Sequence, residues 1–336
     1  MTAEQGQTTD SLSELLQPIE PEIRAVDSVI RQRLQSDVVL INTISDYIIT
    51  AGGKRLRPAL LLMMARALGY HGPYRHEMAA VIEFIHTATL LHDDVVDDSD
   101  LRRGQQTANA VFGNPASVLV GDFLYSRAFQ MMVEPGQMAI MRVLADATNT
   151  IAEGEVLQLL NCHDPDVGEA QYLQVIRYKT ARLFEAAAQI AALLAGAGQE
   201  TQAACAAYGR HLGTAFQIID DVLDYSGASH ETGKNVGDDL REGKLTLPLI
   251  WLREQGTNEQ QALVRGAIVE GDLVLIEPLT HALQQSGALD YARACARREA
   301  ELAVTALQVL SDCTASVGSA QQDLVKLCQF AVGRSR

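Results

Sequence analysis

Positive charge is what this 336-residue sequence lacks most: 27 Lys and Arg stand against 42 Asp and Glu, a formal net charge of −15. That balance argues against a nucleic-acid binder, because a phosphate backbone needs a positive field, so the basic residues that matter act locally. Aromatic residues are scarce at 5% while apolar residues reach 47%, which favours packed helices over sheets. The five cysteines, at 162, 205, 295, 313 and 328, form no CxxC pair and no His/Cys spacing suited to zinc. They read as small core residues of a reduced, cytoplasmic protein. No apolar run approaches the ~18 residues of a membrane span, and the polar stretch from Thr2 to Ser13 does not read as a signal peptide.

What is present is concentrated acid. Between Glu83 and Gly104 an apolar helical run enters five carboxylates within eight residues, Asp93, Asp94, Asp97, Asp98 and Asp100, and then reaches Arg102 and Arg103. On a helix Asp93 and Asp97 share one face about 6 Å apart, with Asp94 about 100° round the axis. Such a cluster is either a solvated helix end or a site for hard divalent ions, which take oxygen ligands together with a substrate phosphate. A second copy favours the site: Asp220, Asp221 and Asp224 repeat the i, i+1, i+4 spacing after the apolar run ending Gln217-Ile218-Ile219. Two facing carboxylate sets could hold several Mg²⁺ ions around a diphosphate.

Taken in order, residues 1–17 read as a flexible or loosely docked arm and 18–336 as one helical domain. Helical periodicity runs from Pro18 to Leu34 and from Val38 to Ile49. Gly52-Gly53-Lys54-Arg55-Leu56-Arg57-Pro58 then combines a Gly-Gly turn, a helix start and cations three apart, which suits a diphosphate or an ordinary basic helix start. Further helices are expected at 58–68, from Tyr74 to about Ser99, from an Asn114-Pro115 cap to Val133, at 137–160 with Glu153-Gly154-Glu155 as its wet end, at 169–195 and at 201–225. Lys179-Thr180 lies among apolar neighbours, where either side chain could snorkel to the surface. Ser226 to Gly243 reads as a loop with four glycines, of lid-like length. Thr257 to Arg336 reads as amphipathic helices without recognisable chemistry.

In family order and spacing, GGKRLRP, HTATLLHDDVVDDSDLRRG, EGEVLQL, KTARLFEAA, GTAFQIIDDVLDY and GKNVGDDLREGKLTLPL resemble the trans-isoprenyl diphosphate synthases over roughly residues 20–330, and among them the bacterial octaprenyl diphosphate synthases. The resemblance implies a single all-α isoprenoid synthase bundle around a central hydrophobic cavity, acting as a homodimer. It implies two to three Mg²⁺ held by Asp93, Asp94, Asp97, Asp220, Asp221 and Asp224. Arg102, Lys179, Lys234 and Lys244 would contact the allylic diphosphate, farnesyl diphosphate, and Lys54, Arg57, His86 and Arg103 would contact isopentenyl diphosphate. Thr180 and Gln217 would offer oxygens to an allylic cation, with Asp93, Asp97, Lys179 and Asp220 completing the catalytic set.

Breaking a C–O bond to diphosphate is easier where metals and cations neutralise the departing charge. No side-chain base is evident beside the acidic motifs, so the family's base, released pyrophosphate, is expected to take the proton. A chain growing along the helix that carries Asp93 passes Thr89 and Ala88, about 6–7.5 Å below. In the family an aromatic residue there shortens the product, so these small residues imply a long one, with the floor expected near Ile85, Phe129 or Met132. Two other classes remain in view. His92-Asp93 resembles the HD pair of a metal phosphohydrolase, and a non-catalytic partner subunit could keep the fold without turnover.

Overall fold

The structure, a computed structural model, describes residues 12–50, 53–102, 104–225, 237–271, 273–311 and 318–334. It is a helical bundle: α1 (Leu12–Leu16), α2 (Glu20–Arg33), α3 (Val39–Thr50), α4 (Leu56–Ala67), α5 (Tyr74–Val96), α6 (Ala108–Phe112), α7 (Asn114–Val133), α8 (Met138–Asn161), α9 (Glu169–Ile176), α10 (Arg182–Leu194), α11 (Gln199–Asp224), α12 (Asp238–Arg241), α13 (Leu247–Gln255), α14 (Asn258–Glu270), α15 (Ile276–Ser286), α16 (Ala288–Ala306), α17 (Gln308–Ser311) and α18 (Gly318–Gly333). Two-residue strands β1 (Leu101–Arg102) and β2 (Gln105–Gln106) pair antiparallel, Arg102 opposite Gln105. Among the described residues no helix is long and apolar enough to cross a membrane.

Two elements organise the packing. Helix α5 is buried continuously from Met78 to Ile85 and runs between α4 and α7, so this stretch is apolar on nearly every side, with Glu83 its one charged residue. Helix α11 lies against α10 and α16 and joins the two apolar clusters of the core. Close approach of α11 to α10 depends on Gly209, where an added Cβ would sit 2.8 Å from Glu185 Cα, and on Gly213 one turn later, where it would sit 3.1 Å from Phe184 Cβ. That approach delivers the second acidic motif, two turns further on, to its place.

Several expectations shift. The arm is shorter than 17 residues, because α1 buries Leu15 against the core; residues 1–11 lie outside the described part. The α7 cap is Gly113, at φ 86°, with Asn114 already helical. The helix expected over 169–195 is interrupted by a π-helical turn, Arg177–Ala181. Of the loop expected over 226–243, α12 occupies Asp238–Arg241, and 226–236, where most of the expected lid falls, lie outside the described residues.

Candidate active site

Both acidic motifs sit at helix C-termini, where the backbone dipole is already negative. Carboxylates there repel both the dipole and each other, so the fold surrounds them with cations. In the first motif Lys179 Nζ lies 3.4 Å from Asp93 Oδ2, and Lys244 Nζ lies 3.2 Å from Asp97 Oδ2. Each lysine is backed by a glutamate: Glu155 Oε2 is 2.5 Å from Lys179, and Glu242 pairs with Lys244. Burial pushes the Glu155 carboxyl up to about 7, with Lys179 opposing and Asp93 adding to the shift. Burial alone would lower the Lys244 amine, but Glu242 and Asp97 outweigh it and hold it well above the usual lysine range.

Asp94 is different. It is 4% exposed, and its Oδ1 accepts from Arg102 Nε at 2.8 Å and Nη2 at 2.6 Å. Burial raises its carboxyl and Arg102 counters that. The β1–β2 hairpin returns Arg102 to the helix end. Asp94 is expected as a cation ligand; in the structure it is buried and pairs with Arg102, which ties the hairpin to the helix end.

The second motif divides the same way. Asp221 is 4% exposed; its Oδ2 accepts the Tyr172 hydroxyl at 2.6 Å and its Oδ1 accepts Gln217 Nε2 at 2.8 Å. Burial pushes its carboxyl up to about 8, Asp239 adds to the shift, and the two donated hydrogen bonds oppose it. Asp220 remains partly open on one side and meets Arg334 Nη1 at 2.7 Å on the other, while Asp224 is half-buried.

The π-helical turn links the two motifs. Its Lys179 reaches Asp93, and its Thr180 donates to Gln217 Oε1 at 2.9 Å, one turn before Asp221. Neither residue snorkels outward: Thr180 is buried and Lys179 lies between Asp93 and Glu155. Gly154 allows the turn to seat on α8, since a Cβ there would lie 2.8 Å from Lys179 N. The stretch read as a wet helix end is therefore a packing surface and a lysine tether.

In the basic turn, Arg57 Nη1 lies 3.0 Å from His86 Nε2 and its guanidinium stacks 4.6 Å above Phe184, so these two expected residues come together. Lys54 is exposed. Arg55, at φ 48°, is structural and pairs with Glu83 and Asp27. Arg103 and Lys234 lie outside the described residues. Ala88 and Ile85 are fully buried, and Thr89 donates to His86 O at 2.8 Å. Met132 is buried, but Phe129 is 44% exposed and so does not floor a cavity within this chain. His92 turns away from the acids to Val118 O at 3.2 Å and Asp122 at 3.4 Å, which removes the basis for the HD reading. Glu242 and Tyr172 went unread in the sequence as site residues; for Arg334 the charge at the C-terminus leaves open whether it reaches a site, and the structure puts it against Asp220.

Residues 38–273 match the polyprenyl synthetase family. The chain belongs to that family. It is 52% identical to the octaprenyl diphosphate synthase of Escherichia coli K12 over 94% of this chain and 96% of that protein. It is 44% identical to the geranyl-diphosphate-specific all-trans-nonaprenyl-diphosphate synthase of Rhodobacter capsulatus, over 97% and 98% of the two chains. Among solved structures, the polyprenyl synthase of Caulobacter crescentus CB15, complexed with calcium and isoprenyl diphosphate, superposes with a TM-score of 0.92 at 42% identity, covering 98% of this chain and all of that one. Like these relatives, this polyprenyl synthetase is a prenyltransferase with an all-α fold.

Among the described residues no group of three or more His, Cys, Asp or Glu side chains is gathered to hold a metal ion alone. The donors nevertheless suit Mg²⁺. They are all oxygen, and Asp93, Asp97, Asp220 and Asp224 are half-buried carboxylates at two helix ends. Mg²⁺ is ordinarily bound by one or two carboxylates plus substrate phosphates rather than by an all-protein cage.

Proposed function

We propose that this chain adds isopentenyl diphosphate units to farnesyl diphosphate and releases all-trans octaprenyl diphosphate, a C40 product suited to a respiratory quinone side chain. The observation that carries the reading is the π-helical turn, which presents Lys179 to one acidic helix end and Thr180 to the other. Asp93, Asp97, Asp220 and Asp224 would hold two to three Mg²⁺, whose bound charge assists departure of the diphosphate.

The chain's own residues account for the remaining steps. Arg102, Lys179, Lys244 and Lys234 neutralise the allylic diphosphate as its C–O electron pair moves to the leaving oxygen. Lys54, Arg57, His86 and Arg103 hold isopentenyl diphosphate with its double bond toward the allylic carbon. Oxygens of Thr180 and Gln217 face the positive charge that develops there. A C–C bond then forms, and the proton lost from the new cation goes to the released pyrophosphate.

Small residues at Ala88 and Thr89 support a long product, as do the octaprenyl and nonaprenyl names of the relatives. Leu119, Phe129 and Val133 on α7 are exposed apolar side chains, which supports a homodimer with α7 at its interface. The four described cysteines are free thiols, in keeping with the cytoplasm.

Incubating the purified protein with Mg²⁺, farnesyl diphosphate and labelled isopentenyl diphosphate, then chromatographing the dephosphorylated products, tests this reading. A dominant C40 alcohol supports it. A different ladder corrects the length alone, and no elongation overturns the reaction.

A further inference from the structure

We propose that Tyr172 and Asp221 form a buried orienting pair that decides which end of the Gln217 amide faces Thr180, so that Asp221 acts by positioning and not as a cation ligand. The proposal rests on the reading above that Thr180 and Gln217 serve a developing allylic cation.

Three hydrogen bonds converge on Asp221. Thr180 Oγ1 donates to Gln217 Oε1 at 2.9 Å, Gln217 Nε2 donates to Asp221 Oδ1 at 2.8 Å, and Tyr172 Oη donates to Asp221 Oδ2 at 2.6 Å. The two ends of an amide have nearly the same shape, so hydrogen bonding chooses between them. A carboxylate only accepts, which turns the Gln217 NH₂ toward Asp221 and leaves Oε1 beside Thr180. The reverse orientation would direct N–H groups toward the place where positive charge develops.

Tyr172 makes the choice firm. It is 5% exposed, in the same apolar cluster as Ile176, Ile218 and Val222, and it occupies the second Asp221 oxygen. Asp221 thus mirrors Asp94, whose Oδ1 is taken by Arg102: the middle aspartate of each motif holds a neighbouring group in place.

An acceptor swap tests this. Asp221→Asn offers one acceptor and one donor, and because the Tyr172 phenol can meet either, nothing any longer holds the Gln217 amide in one orientation. We expect kcat to fall by up to about 100-fold, the lower end of what one preorganised hydrogen-bonding group contributes, with the Mg²⁺ midpoint of activity and both KM values little changed. The double variant Gln217→Glu with Asp221→Asn again presents an acceptor to Thr180 and should recover most of the loss, with thermal denaturation checking that both variants fold. Tyr172→Phe, which keeps the ring, should lower kcat in the same sense.

Mn²⁺ binding in the presence of inorganic pyrophosphate, followed by electron paramagnetic resonance, supplies a readout independent of turnover. It should match wild type in Asp221→Asn and weaken about tenfold or more in Asp220→Asn, on the scale of losing a coordinating group. Weakened Mn²⁺ binding in Asp221→Asn, or a folded double variant no faster than the single one, overturns the proposal. A wild-type protein that makes no prenyl product overturns the reaction assigned above, and the Mn²⁺ comparison still decides the role of Asp221.

Discussion

Arg334 Nη1 lies 2.7 Å from Asp220 Oδ1, 114 positions away in sequence. The arginine side chain is 2% exposed; its Nη2 donates to Phe216 O at 2.8 Å and its guanidinium stacks 3.7 Å over the Phe216 ring. Asp220, 39% exposed, is therefore capped on one edge and open on the other. Arg334→Gln should lower kcat/KM about 10- to 100-fold, the range for losing a charged hydrogen bond. It should also raise the Mg²⁺ midpoint, with Arg334→Lys in between because an ammonium cannot reproduce the fork. Titrating Mg²⁺ against activity checks this, and an unchanged midpoint would show that the cap does not orient Asp220.

Asp93→Ala and Asp220→Ala should each abolish turnover while leaving the fold intact, since each removes a partly exposed carboxylate rather than a buried one. Turnover of labelled isopentenyl diphosphate is the measurement. Survival of activity in both variants would exclude these helix ends as the cation site.

Gly154→Ala should displace the π-helical turn. Its new Cβ meets Lys179 N at 2.8 Å and Tyr178 Cβ at 2.9 Å, an overpacking worth about 1–3 kcal/mol. A lower Tm together with a reduced kcat is expected; a variant with wild-type Tm and kcat would mean that the turn does not depend on this seat.

Ala88→Tyr places an aromatic ring at a fully buried position of α5. The expected result is a shorter product with initiation retained, read from the chain-length profile of the alcohols. A folded variant still yielding C40 would put the growing chain elsewhere.

Glu299 receives His211 Nδ1 at 2.6 Å and Arg177 Nη2 at 3.1 Å. Burial alone would raise its carboxyl, but these partners outweigh it and hold it below the ordinary value. A depressed folded-state value means that the stabilisation is present above the unfolded glutamate value near ~4.3 and is lost as pH falls through the folded one. Wild type should therefore exceed Glu299→Gln in urea midpoint at pH 7, with the gap closing toward pH 3. A gap independent of pH would assign it to packing.

Much of the site was legible because its signals are local. Apolar periodicity marked α5 and α11, and the i, i+1, i+4 acids ended both. The Gly-Gly basic turn, the Arg102 position and the Lys179-Thr180 pair lay in recognisable order. The π-helical turn was not legible, since its residues satisfy ordinary helical periodicity and the extra residue per turn is set by contact with α8 and α11.

By itself the sequence determined that this is a helical protein with two carboxylate-bearing helix ends and a local supply of cations, because helix periodicity and residue spacing act within a few turns of chain. Only the tertiary structure decided which aspartates remain available. Asp93 and Asp94 are adjacent and chemically identical, yet about 100° of helical rotation leaves one beside Lys179 and buries the other against Arg102. Asp220 and Asp221 are separated in the same way by Arg334 and Tyr172, partners from distant elements that reach them only through packing.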